Sequence, residues 1–222
     1  MKRSASGSSA VIRDPTRPAG SRRRRDRETR QSEILEAAFE EFAARGYAAT
    51  RLEDVASRAG VAKGLPNFYF ASKEELFKAV LHRHVVPDWS ALEMRLEQPE
   101  ASTAELLRGL ISLAYERLVE NPRAHRLLRL LIAEGPKFPE LAEFYHAELI
   151  ERAIALLGRL LAHGVERGEV RSGPYLDYPQ AIMGPAIMAV VWQLLFAERY
   201  PLDLERFFDA HLDLVVSGLT PR

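Results

Sequence analysis

The sequence predicts an all-α fold of about nine helices, and three observations carry that expectation. Apolar residues recur at spacings of three and four along almost the whole chain. No stretch alternates with period two between turn residues. Helix start and stop signals fall at the ends of the apolar stripes. Thr50-x-x-Glu53, Ser72-x-x-Glu75, Ser102-x-x-Glu105 and Asp177-x-x-Gln180 each carry the capping-box pattern, in which side chains satisfy the first free N–H groups of a helix. Gly46, Gly60, Gly135, Gly164 and Gly168 stand where helices should end, and Pro122, Pro136 and Pro201 where they restart.

Taken in order, Ile34, Leu35, Ala38, Phe39 and Phe42 form the first stripe. Arg51 to Ala59 is a short helix, followed by a tight turn at Gly60 and a second short helix ending near Phe70. Leu76, Phe77, Val80, Leu81 and His84 make the next stripe, then Leu106 to Leu118 and Leu127 to Ile132. A long stripe runs from Leu141 to Leu161, and a last one from Leu204 to Leu219. Between them, Ala181 to Ala197 is apolar on every face apart from Gln193. That run is at the short end of what spans a bilayer and is interrupted by Gly184-Pro185, so it reads as a helix buried inside an assembly, with no membrane partner.

The chain has 222 residues, long enough to bury a substantial core, with 47% hydrophobic and 28% charged side chains. It contains no cysteine, which excludes disulfides, thiolate nucleophiles and Cys-ligated metal, and fits a cytoplasmic location. Lys+Arg and Asp+Glu both number 31, yet the balance is uneven: residues 1–30 hold ten basic and three acidic groups, and the remainder carries the opposite excess. The Ser-, Gly-, Pro- and Arg-rich start, about residues 1–27, is expected to be a disordered basic arm suited to a polyphosphate partner.

The segment 51–70, RLEDVASRAGVAKGLPNFYF, has the form of a helix-turn-helix, in which a second short helix is offered to a DNA major groove. With ILEAAFEEFAARGYAAT before it and ASKEELFKAVL after it, the stretch from about Arg27 to Val86 resembles the N-terminal domain of the TetR family of transcriptional repressors. The fragment Gly46-Tyr47…Thr50…Val55-Ala56…Ala59-Gly60-Val61…Tyr69-Phe70…Ser72-Lys73-Glu74 carries the likeness. The resemblance implies an N-terminal helix-turn-helix domain over 28–88 and a C-terminal helical regulatory and dimerisation domain over 89–222.

The resemblance also implies roles. Thr50 would meet a phosphate through its hydroxyl or the adjacent backbone N–H, with Arg51 beside it, and Lys63 and Lys73 would pair with phosphates. Gly64, Leu65, Asn67 and Phe68 would lie on the DNA side, where Phe68 suits a thymine methyl unless it is a core side chain. Leu65-Pro66-Asn67 departs from the family's usual residues, and Pro66 is compatible only with a first helical turn. An effector pocket is expected around Tyr115, Phe138, Phe144, Tyr145, His146, Met183, Met188 and Trp192, and a homodimer interface around Val191, Leu195, Phe208, Leu212 and Val215. The implied function is a DNA-binding transcriptional regulator, a repressor released from a pseudo-palindromic operator by a small, largely apolar effector, with no cofactor. The alternatives are an effector-independent architectural or division-control protein on the same fold, and a helical metalloenzyme suggested by Glu143-x-x-His146. Such a metal site needs a second Glu-x-x-His that the sequence lacks, and no nucleophile motif or phosphate loop is present, so an enzyme is not expected.

Overall fold

The computed structural model describes residues 19–98 and 100–221, and every regular element among them is helical. α1 (Ala19–Ala49), α2 (Leu52–Arg58), α3 (Leu65–Tyr69) and α4 (Lys73–His84) form the N-terminal part. α5 (Ser90–Leu96), α6 (Thr103–Ala114), α7 (Pro122–Glu134), α8 (Pro139–Tyr145), α9 (Arg152–Glu166), α10 (Gly184–Leu195) and α11 (Leu204–Leu219) follow. Two wider, π-helical turns extend this framework: Tyr115–Val119 continues α6, and His146–Glu151 joins α8 to α9.

Capping accounts for several helix starts. The Ser72 hydroxyl accepts from the Glu75 N–H, and Ser102 and Glu105 complete a reciprocal capping box. Asn121 and Asp203 start α7 and α11 in the same way. The two other boxes read from sequence are absent: α2 begins after Arg51 with no side-chain cap, and neither Asp177 nor Tyr178 caps the turn at Pro179–Met183. Helix α1 also begins earlier than the composition suggests, so residues 19–27 are helical rather than part of a disordered arm, and residues 1–18 lie outside the described residues. Arginine is a good helix former, and Glu28 pairs with Arg24 one turn away.

The core is continuous from α1 to α11. Phe39, Phe42 and Phe77 are completely buried where α1 packs on α4. Tyr47 stacks on this group and also meets Phe138, just ahead of α8, at 4.9 Å between ring centres, so aromatic packing joins the two halves of the chain.

His84, at the end of α4, lies buried against Phe39 with its Nε2 unpartnered. Burial, and then the Arg123 guanidinium, lower its pKa from 6.5 to about 4. The neutral ring therefore stabilises the fold above the unfolded value, and this contribution is lost as pH falls from 6.5 towards 4. Replacing His84 with Phe is expected to flatten the acid limb of a stability-against-pH curve over that window by on the order of 3 kcal/mol. An unchanged slope in urea melts at pH 4.5 and 7 would contradict it.

Candidate nucleic-acid interface and effector cavity

The turn between α2 and α3 depends on Gly60, whose φ of +64° lies in the left-handed region that glycine adopts without strain. Val55 and Ala56 anchor α2 in the core, while Glu41, buried on α1, binds Arg58 at 2.7 Å and Arg45 at 3.2 Å, fixing α2 against α1. Helix α3 starts at Leu65, with buried Pro66 inside its first turn, where a missing N–H leaves no bond unmade. That placement turns Asn67 and Phe68 outward, and Phe68 is 70% exposed, so it is not a core side chain. The Arg27 guanidinium sits about 6 Å over the rings of both Phe68 and Tyr69, which puts a cation of α1 beside α3.

Arg51, Lys63, Gly64, Asn67 and Phe68 are all exposed on this side of the molecule, with Leu65 half-buried between them. Lys63 is engaged with Glu53 at 2.9 Å, but both side chains are mostly in water, where such a pair is worth little. Two residues expected at phosphates are committed elsewhere. Thr50 is 1% exposed and its hydroxyl donates to the Gly46 carbonyl at 2.7 Å. The Lys73 ammonium donates to the carbonyls of Tyr47 and Ala48 at 2.9 and 3.2 Å and lies 4.5 Å over the Tyr47 ring. Both cap the end of α1, whose last carbonyls have no helical partner.

The second half of the chain contains a cavity of about 300 Å³. Its wall is built from Pro87 and Trp89 after α4, Leu110, Leu113 and Ala114 of α6, and Arg117 and Leu118 of the first π turn. Leu149 and Ile150 of the second π turn, Ala153, Ile154 and Leu157 of α9, and Gln180, Met183 and Ile187 complete it. The lining is almost wholly aliphatic, with Arg117 and Gln180 as its principal polar members. Arg117 Nε and Trp89 Nε1 are buried with no hydrogen-bond partner among the described residues, and the nearest carboxylate to Arg117 Nε, that of Glu116, is 3.8 Å away. Both π turns contribute to this wall, and the sequence contains no signal for such turns.

Of the eight residues expected at a pocket, only Met183 is in the wall. Tyr115 is buried behind it, its hydroxyl 3.3 Å from His211 Nδ1 and its pKa pushed up to about 12 by burial. Phe138 packs on Tyr47, and Phe144 lies beside the Lys78 ammonium next to α4. Tyr145, half-buried in the core, has its pKa raised to about 12 by burial, and His146 is exposed. Met188 faces outward, and the Trp192 indole donates to the Tyr200 carbonyl at 2.6 Å. The other seven are core braces or surface residues, while mainly aliphatic side chains, with Trp89, enclose the cavity.

Ile187, Met188, Val191 and Leu195 form an exposed stripe along α10, with Leu195 68% exposed. Val191 and Leu195, expected at an interface, are thus exposed on the protomer. Leu212 and Val215 face the protomer's own core, and Phe208 is half-buried against Tyr115. Among the described residues no three His, Asp or Glu side chains gather as metal ligands, and no helix is long and apolar enough to cross a membrane.

Comparison with known proteins matches both halves. Residues 34–80 fit the family model for bacterial regulatory proteins, tetR family, and residues 100–215 fit that for tetracyclin repressor-like C-terminal domains. The transcriptional activator FasR of Mycolicibacterium smegmatis is 34% identical over 122 residues, which cover 54% of this chain but only 55% of FasR. The transcriptional repressor KstR2 of Mycobacterium tuberculosis is 28% identical over 86% of this chain and 94% of its own. The solved structure of the transcriptional regulator FadR of Bacillus subtilis, in complex with stearoyl-CoA, superposes with a TM-score of 0.66 over 85% of this chain and 98% of that one, at 23% identity, a likeness of fold.

Proposed function

The chain belongs to the tetR family of bacterial regulatory proteins and is a DNA-binding transcriptional regulator, and on that premise we propose that it is a homodimeric repressor released from its operator by a small lipid-like effector. The DNA-binding unit is assigned to residues 28–88 and the effector-binding and dimerisation unit to residues 89–222. In the dimer, two α3 helices enter successive major grooves of a pseudo-palindromic site, with Asn67 and Phe68 at base edges. Arg27, Arg51 and Lys63 lie towards the phosphates.

The observation that carries the effector is the cavity. An aliphatic space of about 300 Å³ beside two buried N–H donors that make no hydrogen bond among the described residues fits an apolar body ending in an oxygen acceptor. The stearoyl-CoA bound in the similar FadR structure supports the same chemistry. That cavity also favours the repressor over an effector-independent architectural protein. Its Pro87 and Trp89 follow directly on α4, so an occupant reaches the element that leads into the DNA-binding unit.

The test is selection of operator sequences from random DNA by the purified chain, followed by titration with dodecanoate, dodecanoyl-CoA and dodecane-1-ol. The chain is expected to prefer its selected site over random duplex at least a thousandfold. The acid or its thioester is expected to weaken that binding at least tenfold while the alcohol does less. Equal binding of selected and random DNA would overturn the regulator's specificity. Selected binding untouched by all three probes would overturn the lipid-like effector.

A further inference from the structure

Glu134 is the last residue of α7, and its carboxylate reaches out of the effector-binding half into the DNA-binding half. One oxygen accepts from the Tyr47 N–H at 3.0 Å and the other from the Ala48 N–H at 2.8 Å. The Lys73 ammonium holds the carbonyls of the same two residues. Two successive residues at the end of α1, past its kink at Gly46 and just before the turn into α2, are thus gripped by side chains from α7 and from α4. Gly46 completes the arrangement: its φ of +83° favours glycine, and a Cβ there would push the Glu134 carboxylate out of the clasp.

The rest of α7 is fastened along α1 on the same face. Arg123 binds Glu36 at 2.7 Å, and Arg126 makes a two-pronged pair with Glu40 at 3.1 and 3.2 Å. At its other end α7 follows directly on the π turn that supplies Arg117 and Leu118 to the cavity wall. Arg129 additionally donates to the Leu194 carbonyl of α10, the helix that brings Ile187 to the cavity. Among the described residues, helix α7 is therefore the one element that is continuous with the cavity wall, bonded to α10, and clasped to the turn from which α2 starts.

We propose that Glu134 is a positioning residue that clasps the α1–α2 turn to α7, so that displacement of the cavity wall is delivered along α7 to the helix-turn-helix. The relay rests on the operator binding and effector release proposed above, and adds to them the path by which one reaches the other.

The path is testable without knowing the effector by filling the cavity with a side chain. Ala153→Phe places a ring in the space opposite the π turn, and Glu134→Gln keeps the shape of the clasp while replacing one acceptor by an amide donor that faces an N–H. Affinity for the selected operator is measured for the parent, each single variant and the double variant, alongside their melting transitions. Glu134→Gln alone is expected to keep operator affinity within about fivefold, because Lys73 and the core of the domain still hold the turn. Ala153→Phe is expected to weaken operator binding at least tenfold on the parent background and less than threefold with Glu134→Gln. Amide exchange at Ala48 should also quicken at least tenfold in Glu134→Gln. If Ala153→Phe has no melting transition, Leu113→Trp provides the plug instead. An equal effect of the plug on both backgrounds, no effect on either, or loss of operator binding by folded Glu134→Gln would each overturn the relay. Failure of the parent chain to select any operator would instead remove the DNA-binding specificity on which it stands.

Discussion

Replacing Leu195 with Arg is expected to produce a folded monomer that holds the selected operator at least a hundredfold more weakly than the parent chain. Leu195 lies on the exposed α10 stripe with Ile187, Met188 and Val191, all outside the protomer's core. Burying such side chains against a second copy contributes roughly 1.5–3 kcal/mol for each one fully covered. In a two-fold interface every substitution occurs twice, so Leu195→Arg would bring two desolvated cations into one apolar patch, costing several kcal/mol. The protomer itself loses little, because an exposed leucine contributes few core contacts. DNA affinity falls because one protomer engages one half-site and forfeits the high effective concentration of the second, typically a factor of about 10²–10⁴. Light scattering during gel filtration reads the mass, and fluorescence anisotropy reads the affinity. A dimer of parental affinity would move the interface away from α10.

How much of this was visible in the sequence follows from the kind of feature concerned. Helices were legible because burial imposes a period: Leu106, Leu107, Leu110 and Ile111 are spaced for one face and are all buried there. The start of α1 was not, since the run of arginines around residues 22–25 has a disordered composition and a helical propensity at once. The short α5, Ser90–Leu96, was missed because it buries no residue and so leaves no stripe. Thr50 shows a subtler failure. Thr50-x-x-Glu53 has the spacing of a cap, yet the hydroxyl bonds backwards to Gly46, a choice set by the kink at that glycine.

The interface and the cavity differ in the same way. The exposure of Asn67 and Phe68 was legible because the helix-turn-helix is a local motif, fixed by a few turns of chain. The cavity is a space between segments as distant as Pro87, Leu149 and Ile187, opened by two π turns, and no local pattern encodes it. Glu134 belongs to this second class. Its partners are more than eighty residues away in sequence, and an acidic residue ending a helix reads as ordinary surface charge.

Lys73 separates a phosphate contact from a structural one, and Lys73→Met decides between them. The variant is expected to lower the melting temperature by roughly 4–8 °C while leaving the salt dependence of operator binding unchanged. The ammonium, half-buried, makes two hydrogen bonds to carbonyls at the end of α1 and lies over the Tyr47 ring, and burial holds its pKa below the usual lysine value. Charged hydrogen bonds of this kind contribute about 1.5–3 kcal/mol, and each kcal/mol shifts the melting point by roughly 2–4 °C in a chain of this size. A group already satisfied by carbonyls has little to gain from a phosphate. If Lys73 did pair with phosphates, a dimer would lose two such contacts, and the slope of log affinity against log salt would become shallower by about 1.8. Operator affinity itself should still fall a few-fold, because the loosened turn carries α2 and the reading helix with it. The salt slope is therefore the discriminating measurement: unchanged, Lys73 holds the turn; shallower by nearly two, it binds DNA.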